Sequence, residues 1–186
     1  MPPFPTTHPT LTTPTLLLRP LTEADIPAWF ARATDAESAA LAGDPIPASI
    51  AEGAHWLARH RQRFQDKTAL RWSITNPGTP DSLGTIGLTL PAPGARTASL
   101  GFVIARAHWH RGLATEAARA VTAYAFETLG FTALEAEALR RNAPSRRILE
   151  KLGFRHLRAL PPTAADPEEA DLYALLNPLH SPASSP

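Results

Sequence analysis

Residues 108–120 read HWHRGLATEAARA. The alternating apolar stretch TASLGFVI precedes them and an alanine-rich amphipathic stretch follows, so Gly112 sits at the join of a strand, a loop and a helix. A glycine at such a join lets backbone approach a ligand. The free N–H groups and the positive end of the helix then make a ready site for a pyrophosphate. An ordinary helix start carries the same residues, and this turn alone does not separate the two readings. His108 and His110 could share a face of an extended segment. No acid or third histidine stands at metal-ligand spacing around them, so no metal is expected. The Walker pattern GxxxxGK[ST] is missing, which argues against nucleotide hydrolysis.

Working outward, GLATEAARAVTAYAFETLG places Ala117, Val121, Tyr124, Ala125 and Thr128 on one helical face, with Gly130 as the stop. FTALEAEAL reads as a strand. APSRRILEKLG reads as a short helix with Pro144 in its first turn, a stripe of Ile148, Leu149 and Leu152, and Gly153 as a left-handed cap that Phe154 packs against. Upstream, LRWSIT and LGTIGLTL alternate on either side of the turn-rich NPGTPDS and describe an antiparallel pair. TLLLRP (15–20) is a first strand. Thr22 caps a helix that opens on Glu23, Ala24 and Asp25, and Ser49 with Glu52 forms a capping box for a second helix carrying Trp56, Leu57 and Phe64. PPTAADPEEA is a connecting loop and DLYALL a last strand. The order is strand, two helices, three strands, helix, strand, helix, then strand or strands. It predicts a mixed α+β sheet with a βαβ crossover at its centre, where ligands favour the carboxyl ends of the parallel strands.

Composition bounds the chemistry. At 186 residues and 44% apolar, one domain is expected over 15–177, with a flexible Pro/Thr-rich arm over 1–14 and a flexible tail over 178–186. Lys+Arg is 18 against Asp+Glu 17, so no global field would draw the protein to nucleic acid or an anionic membrane, and any anion site must be local. Only Lys67 and Lys151 are lysines; the remaining positive charge is arginine, which grips phosphate through a planar fork. The absence of cysteine removes disulfides and thiol nucleophiles, and no signal-peptide pattern opens the chain, so a cytoplasmic location is expected.

Two ordered blocks give the pattern a family likeness. Trp109-His110-Arg111-Gly112-Leu113-Ala114 resembles the acetyl-CoA motif [Q/R]xxGx[G/A] of the GNAT N-acetyltransferases, with Trp109 in place of the first residue. A tryptophan followed by GxATEA is familiar in the RimJ/RimL-like subgroup of ribosomal-protein N-terminal acetyltransferases. NAPSRRILEKLGF (142–154) is similar to that subgroup's NxxSxxxxEKxGF, and LLLRPLTEAD and DLYALL fit as well, so the likeness runs from about Thr15 to Leu176.

The resemblance implies a GNAT fold: a mostly antiparallel sheet with a central splayed parallel strand pair and helices on both faces. It implies acetyl-CoA as cosubstrate, no metal, and direct transfer of acetyl to a primary amine, either a protein or peptide N-terminal α-amine or a small-molecule amine. Val103 and Ile104 match positions whose backbone pairs with pantetheine. Trp109, His110, Arg111, Gly112, Leu113, Ala114 and Thr115 would wrap the pyrophosphate, Asn142 would touch the cofactor arm, and Arg146 or Arg147 would meet the 3′-phosphate. A subgroup glutamate is replaced by Ser99 and the usual tyrosine acid by Leu149. Glu137, two residues from Glu135 on one strand face, is therefore the expected base, and Ser145 the candidate hydroxyl for the leaving thiolate. The expected partners are acetyl-CoA and an amine, in a monomer or homodimer. The alternative is an acyl-CoA-binding regulatory module that has lost turnover.

Overall fold

The alternation at residues 69–89 becomes a hairpin. Strand β3 (Ala69–Thr75) pairs antiparallel with β4 (Ser82–Thr89), placing Trp72 opposite Ile86 on one face and Ser73 opposite Thr85 on the other. The computed structural model describes residues 4–43, 45–162 and 168–180. Around the hairpin stand β1 (Leu11–Thr12), β2 (Leu17–Pro20), β5 (Thr97–Ile104), β6 (Ala133–Leu139), β7 (Arg155–Leu160) and β8 (Ala170–Leu176). Together they make one sheet in the order β1-β2-β3-β4-β5-β6-β8-β7, in which only β5 and β6 run parallel. This is the mixed α+β sheet expected.

Helices lie on both faces. Leu70, Trp72, Ile86, Leu88, Ala98, Leu100 and Leu134 are buried with Ala117, Ala118 and Val121 of α4 (Leu113–Ala123), the main core. On the other face α1 (Ile26–Ala33) and α3 (Glu52–Gln65) form a smaller cluster, where Trp29 and Trp56 stack at 5.3 Å beside Leu21 and Leu57. Asp25, 1% exposed, fixes these helices to the sheet. Its carboxylate accepts from Arg19 Nη1 and Nη2 at 2.8 Å each, the Thr22 N–H at 2.7 Å and Ser73 Oγ at 2.9 Å. The TEAD segment thus places its aspartate as a buried anchor.

Three expectations change, and one left open is decided. The first segment holds three helices instead of two, because α2 (Ala36–Ala42) starts independently where the Asp35 carboxylate caps the Ser38 N–H. The long helix does not keep one face to its end. It is α-helical to Ala123 and widens to a π turn over Tyr124–Thr128, so Phe126 and Leu129 are buried while Thr128 is exposed. The arm is seated and not loose from Phe4 onward. Phe4 and His8 pack on Phe64, the Pro9 carbonyl accepts from Trp72 Nε1 at 2.8 Å, and β1 pairs with β2. Finally, β7 is a strand of its own on the sheet edge. The expected tail is described only through the turn Pro178–His180, and residues 163–167 of the expected connecting loop lie outside the described residues.

Burial alone would raise the Asp25 carboxyl, but the bonds from Arg19, Thr22 and Ser73 outweigh it and hold the group below the ordinary carboxylate range. Asp25→Ala leaves Arg19 without its partner and should cost about 3–5 kcal/mol in urea unfolding. A group with a depressed folded pKa stabilises above its unfolded value, about 3.9, and loses that contribution as pH falls through the folded one. The stability gap between the native protein and Asp25→Asn should therefore be full at neutral pH and shrink progressively below about pH 4.

Candidate active site

The parallel ladder is short. Thr97, Ala98 and Ser99 pair with Ala133, Leu134 and Glu135, and there pairing stops although both strands continue. From Leu100 to Ile104 and from Ala136 to Leu139 the two strands form the arms of a fork. The Ala105 N–H bonds to the Leu83 carbonyl at 2.9 Å, which fixes the alternation: Val103 turns its polar backbone toward β4, and Phe102 and Ile104 turn theirs into the fork. Of the expected pair, Ile104 lines the gap and Val103 is paired with Thr85.

Trp109 shapes the end of this arm. Its indole Nε1 donates to the Ile104 carbonyl at 2.7 Å, folding the loop back on the strand it leaves. His110 and Gly112 both take left-handed conformations, at φ 61° and 78°, and α4 begins directly after Gly112 with no side-chain cap. The first helical bond runs from the Glu116 N–H to the Gly112 carbonyl, which leaves the amides of Leu113, Ala114 and Thr115 available at the positive end of the helix. A Cβ at Gly112 would meet nothing within 4 Å, so the glycine is required by its backbone angle and opens onto free space. Exposed Arg111 folds over this loop, donating to the Ala107 carbonyl at 3.1 Å. His108 is half-buried and His110 exposed, so the two rings differ in setting.

Glu116, in the same first turn, has a role that sequence reading missed. Its carboxylate accepts from Thr13 Oγ1 at 2.6 Å, the Thr15 N–H at 2.9 Å and Thr15 Oγ1 at 2.8 Å. The Thr13 bond above all, with those from Thr15, holds its carboxyl below the ordinary range. The glutamate of ATEA thus moors the arm to the helix that starts at the cradle. Only the sequence separation of about a hundred residues hid it.

The other wall is built by β6 and α5 (Ala143–Lys151). Asn142 caps α5, accepting the Ser145 N–H at 3.1 Å, and its Nδ2 donates to the Leu41 carbonyl at 2.9 Å. Both ends of its amide are occupied within the protein, so its immediate role is to shape the turn. Ser145 is half-buried in the first turn of α5. Arg146 is drawn inward to Tyr173 Oη at 3.1 Å and the Arg140 carbonyl at 3.2 Å, whereas Arg147 is exposed. Leu149 is fully buried, as are Phe154 behind it and Tyr173 on β8. Tyr124 stacks edge-on against Trp72, so both tyrosines belong to the core.

Glu135 and Glu137 point to the face opposite α4, since Leu134 and Ala136 between and beside them are in the core with α4. Glu135 stands at the apex, paired with Ser99, and is half-buried. Glu137 stands one step into the open arm and is exposed. Helix α2 spans the mouth. Arg106, just after β5, pairs with Asp35 at 2.9 Å and Glu37 at 3.6 Å, while Arg141 and Asn142, just after β6, donate to the Ala40 and Leu41 carbonyls.

Such a fork, with free backbone groups on one strand and an uncapped helix N-terminus at its end, suits an extended ligand that carries an anion. Comparison with known proteins gives the family. Residues 15–155 match the family model described as an acetyltransferase (GNAT) domain. The N-acetyltransferase YoaA of Bacillus subtilis (strain 168) is 31% identical over 173 residues, which cover 91% of this chain and 98% of that protein. An acetyltransferase structure from Agrobacterium tumefaciens is 28% identical with a TM-score of 0.74, covering 91% of this chain and 95% of that one. Mycobacterium smegmatis RimJ, solved with CoA-disulfide, shares the fold at a TM-score of 0.79 and 20% identity, over 98% and 93% of the two chains. Through the match at 15–155 and a relative alike along almost its whole length, this chain belongs to the GNAT acetyltransferases and is an N-acetyltransferase.

Proposed function

We infer that the protein transfers acetyl from acetyl-CoA directly to a primary amine, either an N-terminal α-amine or a small-molecule amine. The observation that carries this is the fork: β5 and β6 part after Ser99 and Glu135, leaving the backbone of Phe102 and Ile104 facing a gap that ends at the Gly112 turn. Bound there, acetyl-CoA supplies a thioester carbonyl activated for attack. The α4 amides from Leu113 to Thr115 hold the pyrophosphate, with Trp109, His110 and Arg111 forming the rest of the loop and Ala114 keeping the helix face small. Arg147, exposed on α5, meets the 3′-phosphate, and Asn142 holds the turn against the cofactor arm. Backbone N–H groups of the β5 arm stabilise the charge that develops on the carbonyl oxygen.

Glu137 takes the proton from the attacking amine. It faces the side of the sheet away from α4, so amine and cofactor approach the gap from different sides. The new N–C bond forms as the C–S bond breaks, and the leaving thiolate receives a proton, for which Ser145 at the start of α5 is the candidate hydroxyl. An α-amine has a pKa near 7.7–8 against about 10.4 for lysine, so an exposed carboxylate suffices as base for the former. The absence of cysteine leaves no thiol acyl carrier, which fits direct transfer; the proposed setting is the cytoplasm, with the protein a monomer or homodimer.

The test is amine-dependent release of CoA thiol from acetyl-CoA across a panel of amines. Steady turnover with at least one amine is expected; binding of acetyl-CoA without turnover on any of them would replace this reading by an acyl-CoA-binding regulatory module. With a working amine, Glu137→Gln should lower kcat/KM by about a hundredfold at neutral pH, and less as pH approaches the amine's own pKa. A constant loss across pH would remove Glu137 as base. Gly112→Val should weaken CoA binding by about tenfold or more in calorimetry, because a branched residue resists the left-handed angle and enters the phosphate's space.

A further inference from the structure

The face of the sheet opposite α4 is covered on one half and bare on the other. On the covered half α3 stands over β3 and α1 over β4. Helix α2 touches only the end of β6, where a Cβ on Gly43 would meet Leu139 at 3.5 Å. Beyond it the side chains of this face lie open along β6, β8 and β7. Glu137, Arg155 and Arg158 are exposed, Leu176 is 69% exposed and Leu157 55%. Exposed leucines rimmed by charge mark a contact surface more often than a solvated one.

Strand register orders these residues into rows. Glu135 on β6 pairs with Ala174 on β8, and Ala174 with Arg155 on β7; Glu137 pairs with Leu172, and Leu172 with Arg158. Paired positions share a face, so each row runs from an anion through an apolar residue to a cation. Ala133 with Leu176 adds a third, wholly apolar row. Leu172, Ala174 and Leu176 thus form an apolar stripe along β8, with carboxylates on one side of it and guanidiniums on the other. Acid and base of one row are two strand spacings apart, about 9–10 Å between Cα atoms. Among the described residues none of the four charged side chains has a partner. One unpaired surface charge is ordinary, but two rows of the same sense across one strand make a pattern.

That pattern is complementary to itself. A half-turn about an axis along β8 lays a second copy face to face on the first, exchanges β6 with β7, and keeps each row at its own height. Glu135 then meets the partner's Arg155 and Glu137 the partner's Arg158. Each contact occurs twice, as a closed two-fold pair requires, and the apolar stripe falls on itself. Packed sheets lie about 10 Å apart, a gap that a glutamate and an arginine reaching toward each other can span. Because α1 and α3 stand over β3 and β4, beyond β5, a copy placed this way covers β6, β8 and β7 without meeting them. The open edge of β7 is guarded against strand-to-strand pairing by its two arginines and by the bulge between His156 and Arg158.

We propose that the bare half of the sheet is a homodimer interface, with a second copy seated on β6, β8 and β7 about a two-fold axis along β8. The face is three strands wide and three rows long, small beside the interfaces of permanent dimers, which puts the dissociation constant in the micromolar range. In this arrangement the partner's β7 lies over β6. The partner's Arg155 and the partner's Arg158 therefore border the fork on the side away from β5, and the way in past β5 stays open to an acceptor. Association needs neither acetyl-CoA nor an amine, so its failure would leave the acetyl-transfer reading untouched.

Analytical ultracentrifugation of the full chain from about 1 to 200 μM should show the mass rising from one chain to two. Arg155→Glu with Arg158→Glu sets carboxylate against carboxylate and should raise the dissociation constant at least about a hundredfold. Glu135→Arg with Glu137→Arg sets cation against cation and should do the same. Mixed in equal amounts, these two variants present opposite charges at all four contacts and should form a one-to-one dimer that neither forms alone. Leu176→Glu brings two carboxylates together at the axis and should weaken the native dimer by a similar factor. A native protein that stays monomeric over the whole range overturns the proposal. So does a dimer that survives either charge reversal unchanged, or a mixture that stays monomeric although both variants are folded by circular dichroism. Should a charge variant fail to fold, the native mass and Leu176→Glu decide, and a dimer indifferent to Leu176→Glu would place the interface elsewhere.

Discussion

Three residue pairs join β5 to β6, and the proposed chemistry depends on there being no fourth. A strand edge left open inside a sheet exposes backbone donors and acceptors that would ordinarily be paired, and such groups are tolerated only where something else satisfies them. Trp109 takes one of them, the Ile104 carbonyl. The others face a gap whose far end is the uncapped start of α4. Strand parting and uncapped helix thus stand at the two ends of one gap. Side chains contribute position and charge around it.

Much of the remaining sequence holds that gap in place from a distance. Asp25 joins β2, the first helices and β3 through one buried carboxylate, on the side where Trp29 and Trp56 stack. Glu116 does the equivalent on the other side by mooring Thr13 and Thr15 to the first turn of α4. The two carboxylates come from the motif-like stretches TEAD and ATEA, and in both the acid has a mechanical task. Their low pKa values follow from the donors gathered around each, the Asp25 cluster also overcoming burial.

What could be read in the sequence was what local periodicity and turn chemistry encode. The β3–β4 hairpin, α5 with its Gly153 stop and the left-handed Gly112 are all properties of short continuous segments. The unread parts have a different physical origin. In β7 five of six residues are exposed because it lies on the sheet edge, so RHLRAL carries no alternation to detect. Helix α2 is seven residues of weak pattern made helical by its Asp35 cap and its Gly43 stop. The arm looked unstructured because its proline-rich residues contact Phe64 and Trp72, far along the chain. At the site, the cradle was visible as a motif, but that Val103 faces β4 and Ile104 the gap is a matter of strand register.

Helix α2 gives the fork a property of its own. It is fastened to the end of one arm by Arg106 with Asp35 and Glu37, and to the end of the other by Arg141 and Asn142 on its last carbonyls. The spacing of the arms is therefore set from outside the sheet, like the jaws of a gauge held by a crosspiece. Arg106 is 57% exposed, so one of the two fastenings is an ion pair open to screening. Rising ionic strength screens that ion pair and leaves the hydrogen bonds at the β6 end, so the two ends of the crosspiece answer differently to the solution.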